Sequence, residues 1–153
     1  EMELSTPLRN YSLNHGEFTG RNFSNKTWVT CNFPWSTFTD CSFQETKLTA
    51  CFFDFSLFVN CSFTQCEARY SVFAGCRFIN CTFGNSLLLH SNFIGINASM
   101  TDFSHSDLYY STFTSSSLEQ VLFEDCNMKH TDLTYSRRRD VSFKYSNIEE
   151  EKL

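Results

Sequence analysis

The sequence predicts an all-β fold in which the chain coils about seven times around four short sides. Three observations predict it: an apolar residue at every fifth position, a small residue two positions before it, and a pattern of phenylalanines that recurs every 20 residues. A period of five matches neither the period of a helix, about 3.6, nor the alternation of a long strand. It matches a short strand followed by a corner, because residues two positions apart on a strand point to the same side.

The apolar phase begins at Leu8 and continues in steps of five to Leu153. Of its 30 positions 29 are apolar, and 16 of the 18 phenylalanines lie on it. Arg138 is the one exception. We therefore expect these side chains to fill the interior of the coil, and the two residues after each of them to turn the chain onto the next side.

Columns of residues spaced 20 apart indicate the number of sides. The column that begins at Trp28 contains no phenylalanine, whereas a spacing of 15 mixes the residue types. One column consists entirely of phenylalanine and is the predicted structural core: Phe23, Phe43, Phe63, Phe83, Phe103, Phe123 and Phe143. Four sides of five residues are therefore favoured. With stacked strands about 4.8 Å apart, about seven coils give a rod about 35 Å long.

The cysteines all lie in the small-residue phase, where Ser and Thr fill most of the other positions. They are Cys31, Cys41, Cys51, Cys61, Cys66, Cys76, Cys81 and Cys126. Stacked β-carbons would be about 4.8 Å apart, wider than the ~3.8 Å that a disulfide prefers, so free thiols are expected. Buried free thiols indicate a reducing compartment such as the cytoplasm.

The recurring Cys-x-Phe, Ser-x-Phe and Thr-x-Leu units resemble the pentapeptide-repeat family, in a form rich in Phe and Cys. The resemblance extends from about Leu8 to Ile148. It implies a right-handed four-sided parallel β-helix (a solenoid) that forms a single domain over residues 1–153. Residues 1–10 are then expected to be an N-terminal cap or lead-in, and residues 136–153 a C-terminal coil or cap.

Composition and motifs argue against several functions. The net charge of −5 disfavours direct binding to nucleic acid or to an anionic membrane. No apolar run approaches the ~20 residues of a membrane-spanning helix. The sequence contains no glycine-rich phosphate loop and no serine-nucleophile motif, and His90 and His130 are predicted to lie two coils apart. We therefore expect no enzymatic activity, no cofactor and no metal site.

Apolar residues at outward positions gather in the N-terminal half. Trp35 and Phe55 share one corner column, and Phe52, Leu57 and Val72 lie at nearby outward positions. Exposed apolar patches with a tryptophan often mark protein interfaces. A partner protein is therefore expected here, and two alternatives stay open: coverage by an N-terminal segment, or a symmetric homodimer.

The triplet Arg137-Arg138-Arg139 breaks the pattern near the C-terminus. Arg138 occupies an inward position beyond Leu118, and an unpaired guanidinium is too costly to bury. We therefore expect the final coil to open there and to leave the arginines solvated. The alternative is a cluster that binds an acidic partner surface or a phosphate.

Together these features predict a non-catalytic scaffold for protein–protein recognition. The pentapeptide-repeat family includes docking β-helices of bacterial effectors, so one expected setting is substrate docking by an effector that is delivered to a host cytoplasm. The family also includes proteins that protect DNA gyrase by mimicking a DNA duplex, and this is the first alternative. A structural spacer without a dedicated partner is the second. The fold by itself does not choose among these roles.

Overall fold

The computed structural model describes residues 7–153, so residues 1–6 of the predicted N-terminal cap lie outside the described residues. Short strands alternate with turns along the chain, and a short 3-10 helix follows the last strand. The strands are β1 (Leu8–Arg9), β2 (Glu17–Thr19), β3 (Thr27–Val29), β4 (Thr37–Thr39), β5 (Lys47–Thr49), β6 (Leu57–Val59), β7 (Arg77–Ile79), β8 (Asn97–Asp102), β9 (Ser117–Leu122) and β10 (Arg137–Ser142), and the 3-10 helix is Glu150–Lys152.

The strands form parallel stacks in which every partner lies 20 residues away, for example Leu8 with Trp28. One side of the coil is a three-stranded sheet, β1-β3-β5, and another is a seven-stranded sheet, β10-β9-β8-β7-β6-β4-β2. Single bridges such as Ser12 with Asn32 and Asn22 with Ser42 continue the other two sides. The chain is a right-handed four-sided parallel β-helix of about seven coils, so the predicted fold class is confirmed.

Every corner contains one residue with a left-handed backbone. These residues recur every five positions from Asn10 to Tyr145 with φ between 50° and 68°, and just three of them are glycines. A left-handed residue that carries a side chain costs about 1–2 kcal/mol. Hydrogen bonds between coils hold the corners nonetheless, as where the Trp35 N–H donates to the Asp54 carbonyl at 2.9 Å. Corner side chains therefore stack in four outer columns.

The phenylalanine column forms the predicted stack through the interior. Neighbouring rings of this column lie nearly parallel, with centroids 4.7 Å apart for Phe43 and Phe63 and 4.4 Å apart for Phe63 and Phe83. These rings are fully buried, except that Phe143 is half-buried because it lies in the last coil of the described chain. The stacked rings give the rod a continuous apolar core.

The small inward residues are also hydrogen-bond donors. The Ser86 hydroxyl donates to the Phe63 carbonyl at 2.7 Å, and the Cys66 backbone N–H donates to the Ser86 oxygen at 3.1 Å. The Cys76 thiol makes the equivalent bond to the Phe53 carbonyl at 2.9 Å. At most positions this phase therefore holds a small side chain that also satisfies a buried carbonyl of the previous coil, with Ile96 and Val121 as buried exceptions.

Candidate protein-interaction surface

One of the four sides is almost free of charge, and we call it the uncharged face. It consists of residues 11–15, 31–35, 51–55, 71–75, 91–95, 111–115 and 131–135. Asp54 and Asp132 are its only acidic or basic residues apart from His15. Each of the other three sides carries basic as well as acidic side chains. A side that avoids charge while staying exposed has the composition of an interface centre.

The corner that borders this face in the first coils carries a stack of three rings, which we call the Trp ladder: His15, Trp35 and Phe55. The Trp35 and Phe55 rings lie 4.7 Å apart at 19°, and His15 stacks on Trp35 at 6.4 Å. Trp35 is 55% exposed and Phe55 is 52% exposed, although their flat faces are covered. The Trp ladder therefore forms a ridge that presents ring edges to solvent.

The predicted apolar patch is divided by this ridge. Phe52 and Val72 lie on the uncharged face, where Phe52 is exposed and Val72 is half-buried. Leu57 is also half-buried but lies on the adjacent side, in β6, beyond the Phe55 corner. The structure thus brings Trp35, Phe55, Phe52 and Val72 together and places Leu57 around the corner from them.

The opposite border of the uncharged face carries a second stack in later coils, which we call the Tyr–His ladder: Tyr70, His90, Tyr110 and His130. Successive centroids lie 5.3, 5.5 and 4.5 Å apart. Tyr109 packs edge-on against the Tyr110 ring at 4.8 Å. Tyr70 is 61% exposed and Tyr110 is 51% exposed, so this ladder is a second ridge of ring edges.

The arginine triplet lies in β10, four coils beyond Leu57 in the same stack of strands and thus about 20 Å from the apolar patch. All three side chains are exposed, as expected. The expected opening of the final coil is wrong, because Arg138 stays paired with Leu118 in the parallel register of β10 with β9. Arg139 lies 3.6 Å from Glu119, but both side chains are more than half exposed, so this ion pair contributes little stability. The triplet is separate from the uncharged face.

The cysteines are free and buried, as predicted. Burial raises the pKa of the Cys66 and Cys76 thiols, and it raises the pKa of Cys51 to about 12. Such thiols are neutral and unreactive near pH 7. Among residues 7–153, no three His, Cys, Asp or Glu side chains are placed to hold one metal ion. Within the same range, no helix has the length and apolar character needed to cross a membrane.

The sequence reasoning missed two parts of this surface. Ile94 is 41% exposed on the uncharged face, two coils beyond Asp54 in the same outer column. The scarcity of charge on one side was also missed, although sorting the charged residues by their position in the 20-residue repeat would have found it. Both features become visible only when the residues are grouped by side.

The fold and this surface define a solenoid built from pentapeptide repeats. The family model for the pentapeptide repeat region matches residues 76–153, about half of the chain, and the chain belongs to this family. Among solved structures, the trypsin-treated R167E form of QnrB1, a plasmid-mediated fluoroquinolone resistance protein, has a TM-score of 0.54 at 17% identity. That match covers 88% of this chain and 70% of QnrB1, and it shows a shared fold.

More distant likenesses are to two cyanobacterial pentapeptide-repeat proteins. Rfr23 from Cyanothece 51142 has a TM-score of 0.38 at 10% identity, with 88% of this chain and 89% of that chain covered. HetL from Nostoc sp. strain PCC 7120, which is involved in heterocyst differentiation regulation, has a TM-score of 0.32 at 9% identity, with 90% and 87% covered. No curated protein matches the sequence significantly.

Proposed function

We propose that this protein is a non-catalytic scaffold that recognises a partner protein through the uncharged face and the Trp ladder. The main observation in support is that the rings of Trp35 and Phe55 stack on each other. Both are about half exposed, and they border a side that lacks lysine and arginine. Desolvating such a surface costs little, and a tryptophan ridge supplies the large apolar contact that dominates binding energy at interfaces.

The rod itself supports this role. Its backbone is hydrogen-bonded from coil to coil, and its rings are locked by stacking, so the surface loses little entropy when a partner binds. The buried thiols favour a reducing compartment such as the cytoplasm. Docking within a bacterial effector that acts in a host cytoplasm is the narrower role that we propose for this surface.

Protection of DNA gyrase by duplex mimicry remains the alternative. It requires a strongly negative surface, and this chain combines a net charge of −5 with three adjacent exposed arginines. The likeness to QnrB1 at 17% identity concerns the fold. The uncharged face therefore supports recognition of an ordinary protein surface better than occupation of a DNA-binding saddle.

The test is affinity capture from bacterial and animal-cell lysates with the tagged 153-residue chain as bait, read by mass spectrometry. The variant Trp35→Ala/Phe55→Ala is compared with the matched control Leu122→Ala/Tyr145→Ala, which removes two large exposed side chains from one other side of the coil. We expect a partner that is lost in the first variant and kept in the control. Equal capture by all three proteins, or no specific capture, would overturn the proposal, and capture of gyrase subunits would favour duplex mimicry.

A further inference from the structure

The two aromatic ridges border the same face but occupy different coils. Where the Trp ladder stands on one corner, the opposite corner has small residues, as with Ala50 across from Phe55. From Tyr70 to Tyr110 the pattern is reversed, as with Gly75 across from Tyr70, whereas in the last coil the exposed Tyr135 lies across from His130. The two ladders thus act as walls on opposite corners of the face, and the wall passes from one corner to the other between Phe55 and Tyr70. They therefore leave an oblique channel across the face that is open at both ends.

The floor of this channel is flat and mostly apolar or neutral. Phe52 and Val72 lie at its centre, and Ile94 lies on the side of the later coils. Three extended residues make each side about 10 Å wide. That width matches the ~10–12 Å diameter of an α-helix with its side chains.

The backbone of the floor has no free hydrogen-bonding group at its centre. The Phe52 N–H donates to the Cys31 carbonyl at 2.9 Å, and the Phe52 carbonyl accepts from the Phe33 N–H at 2.7 Å. Val72 is saturated in the same way by Cys51 and Phe53. An extended segment would therefore leave its own peptide groups unpaired against apolar rings, whereas a helix satisfies them internally.

The two carboxylates of the face differ in their availability. Asp132 accepts hydrogen bonds from the Thr134 N–H at 2.9 Å and from the Thr134 hydroxyl at 2.7 Å. Within residues 7–153, the Asp54 carboxylate has neither a hydrogen-bond nor an ion-pair partner. Asp54 lies next to Phe55, at the end of the first wall. It offers a carboxylate without a partner to a basic side chain, on a face that carries no lysine or arginine.

The area of the face argues against a second copy as the occupant. Seven coils at about 4.8 Å, each about 10 Å wide, give a side of about 340 Å². A stable dimer of standard size buries about 800 Å² on each partner. A single helix laid along the channel would use this area fully.

From these observations we propose that the channel binds an amphipathic α-helix of a partner protein, with an apolar stripe on the floor and a lysine or arginine at Asp54. This inference rests on the proposed function and names the kind of segment that the surface accepts. The helix crosses the face obliquely and is flanked by the Trp ladder in the early coils and by the Tyr–His ladder in the later coils.

The test is selection from two display libraries of 20-residue peptides on the immobilised 153-residue chain. One library has apolar residues in a helical pattern, and the other has them in alternation. We expect binders from the helical library, and we expect them to carry a basic residue. Their affinity should fall about tenfold or more for the Val72→Glu variant of the protein. It should be unchanged for the control variant Thr82→Glu. The Asp54→Lys variant should bind these peptides with lower affinity. Replacing the basic residue of the peptide with glutamate should restore binding to this variant.

Extended or proline-rich binders, binders indifferent to Val72→Glu, or no enrichment would overturn the helix proposal. So would a dimer that dissociates on Val72→Glu, or peptide binding that appears only after residues 1–6 are removed. These results leave the affinity capture untouched, because a captured partner could still use the face through a loop. Failure of the capture experiment alone would instead overturn the proposed function.

Discussion

The ring of Phe55 lies directly against the α-carbon of Gly75, one coil further along the rod. A β-carbon at position 75 would lie 2.5 Å from Cδ1 of Phe55, and Gly75 has φ +68°. Gly75 therefore ends the Trp ladder by giving Phe55 a flat surface on which to lie. It is also the point at which the aromatic wall passes to the other corner.

Replacing Gly75 with alanine should destabilise the protein by about 2–5 kcal/mol, because the left-handed backbone costs about 1–2 kcal/mol and displacing the Phe55 ring costs about 1–3 kcal/mol more. The matched control is Gly95→Ala, since Gly95 has the same φ of +68° and no atom within 4 Å of the added carbon. We expect the control to show the backbone cost alone, about 1–2 kcal/mol. Denaturant unfolding measures both, and equal losses would show that Phe55 does not require the glycine.

Replacing Ser86 with alanine should cost about 1–3 kcal/mol, because the Phe63 carbonyl and the Cys66 N–H lose a buried partner. Ser86→Cys should be tolerated better, since Cys76 makes the same bond in an equivalent position. The outward-facing Ser117→Ala is the control. Unfolding midpoints that are unchanged in Ser86→Ala would show that size alone governs this phase.

Ala98→Phe should cost about 1–3 kcal/mol by overpacking, although phenylalanine is the usual residue in this phase. Ala98 is buried beside Ile96, which is larger than the Cys, Ser or Thr found at most equivalent positions. The double variant Ile96→Ser/Ala98→Phe restores the usual arrangement of a small residue followed by phenylalanine. It should recover part of the lost free energy of unfolding. A single variant with an unchanged or raised unfolding temperature would contradict the idea that the two residues have exchanged volume.

The free energy of unfolding should fall as the pH rises above about 9. Unfolded thiols ionise near their ordinary pKa of 9.0, whereas burial raises the pKa of Cys66 and Cys76 in the folded state. The folded state then holds protons that the unfolded state releases, so stability is complete below pH 9 and decreases above it. Cys66→Ser/Cys76→Ser should flatten this decrease between pH 8 and 10.5, and an equal slope in both proteins would contradict the assignment.

Periodicity accounts for how much of the fold the sequence could predict. Leu8 begins a five-residue phase that continues to Leu153, and each residue type reports locally whether its side chain is buried. Because each residue stacks on the residue 20 positions later, the same buried and exposed positions recur in every coil. The buried positions of Phe23 and Phe83 and the reduced state of Cys41 follow directly from that repetition.

The surface was predicted less completely, because outward positions carry no such constraint. Trp35 and Phe55 could be placed on one corner from their spacing, but Leu57 was grouped with Phe52 although a corner separates them. Arg138 is an exception to this limit, because its exposure was predicted from the cost of burying a guanidinium. Its phase is inward, yet it is exposed in the last strand, since no later coil of the described chain stacks on it.

The five-residue period was thus sufficient to predict the four-sided coil, the stacked phenylalanine core and the free thiols, because a short period repeats one local environment through the rod. Which outward columns face each other across a side became clear from the folded coil. It set the Trp ladder and the Tyr–His ladder on opposite borders of one uncharged face, and it laid Phe55 on Gly75. The reason is physical: neighbours across a corner or between coils are set by the left-handed turns and the 20-residue register, which bring distant residues into contact.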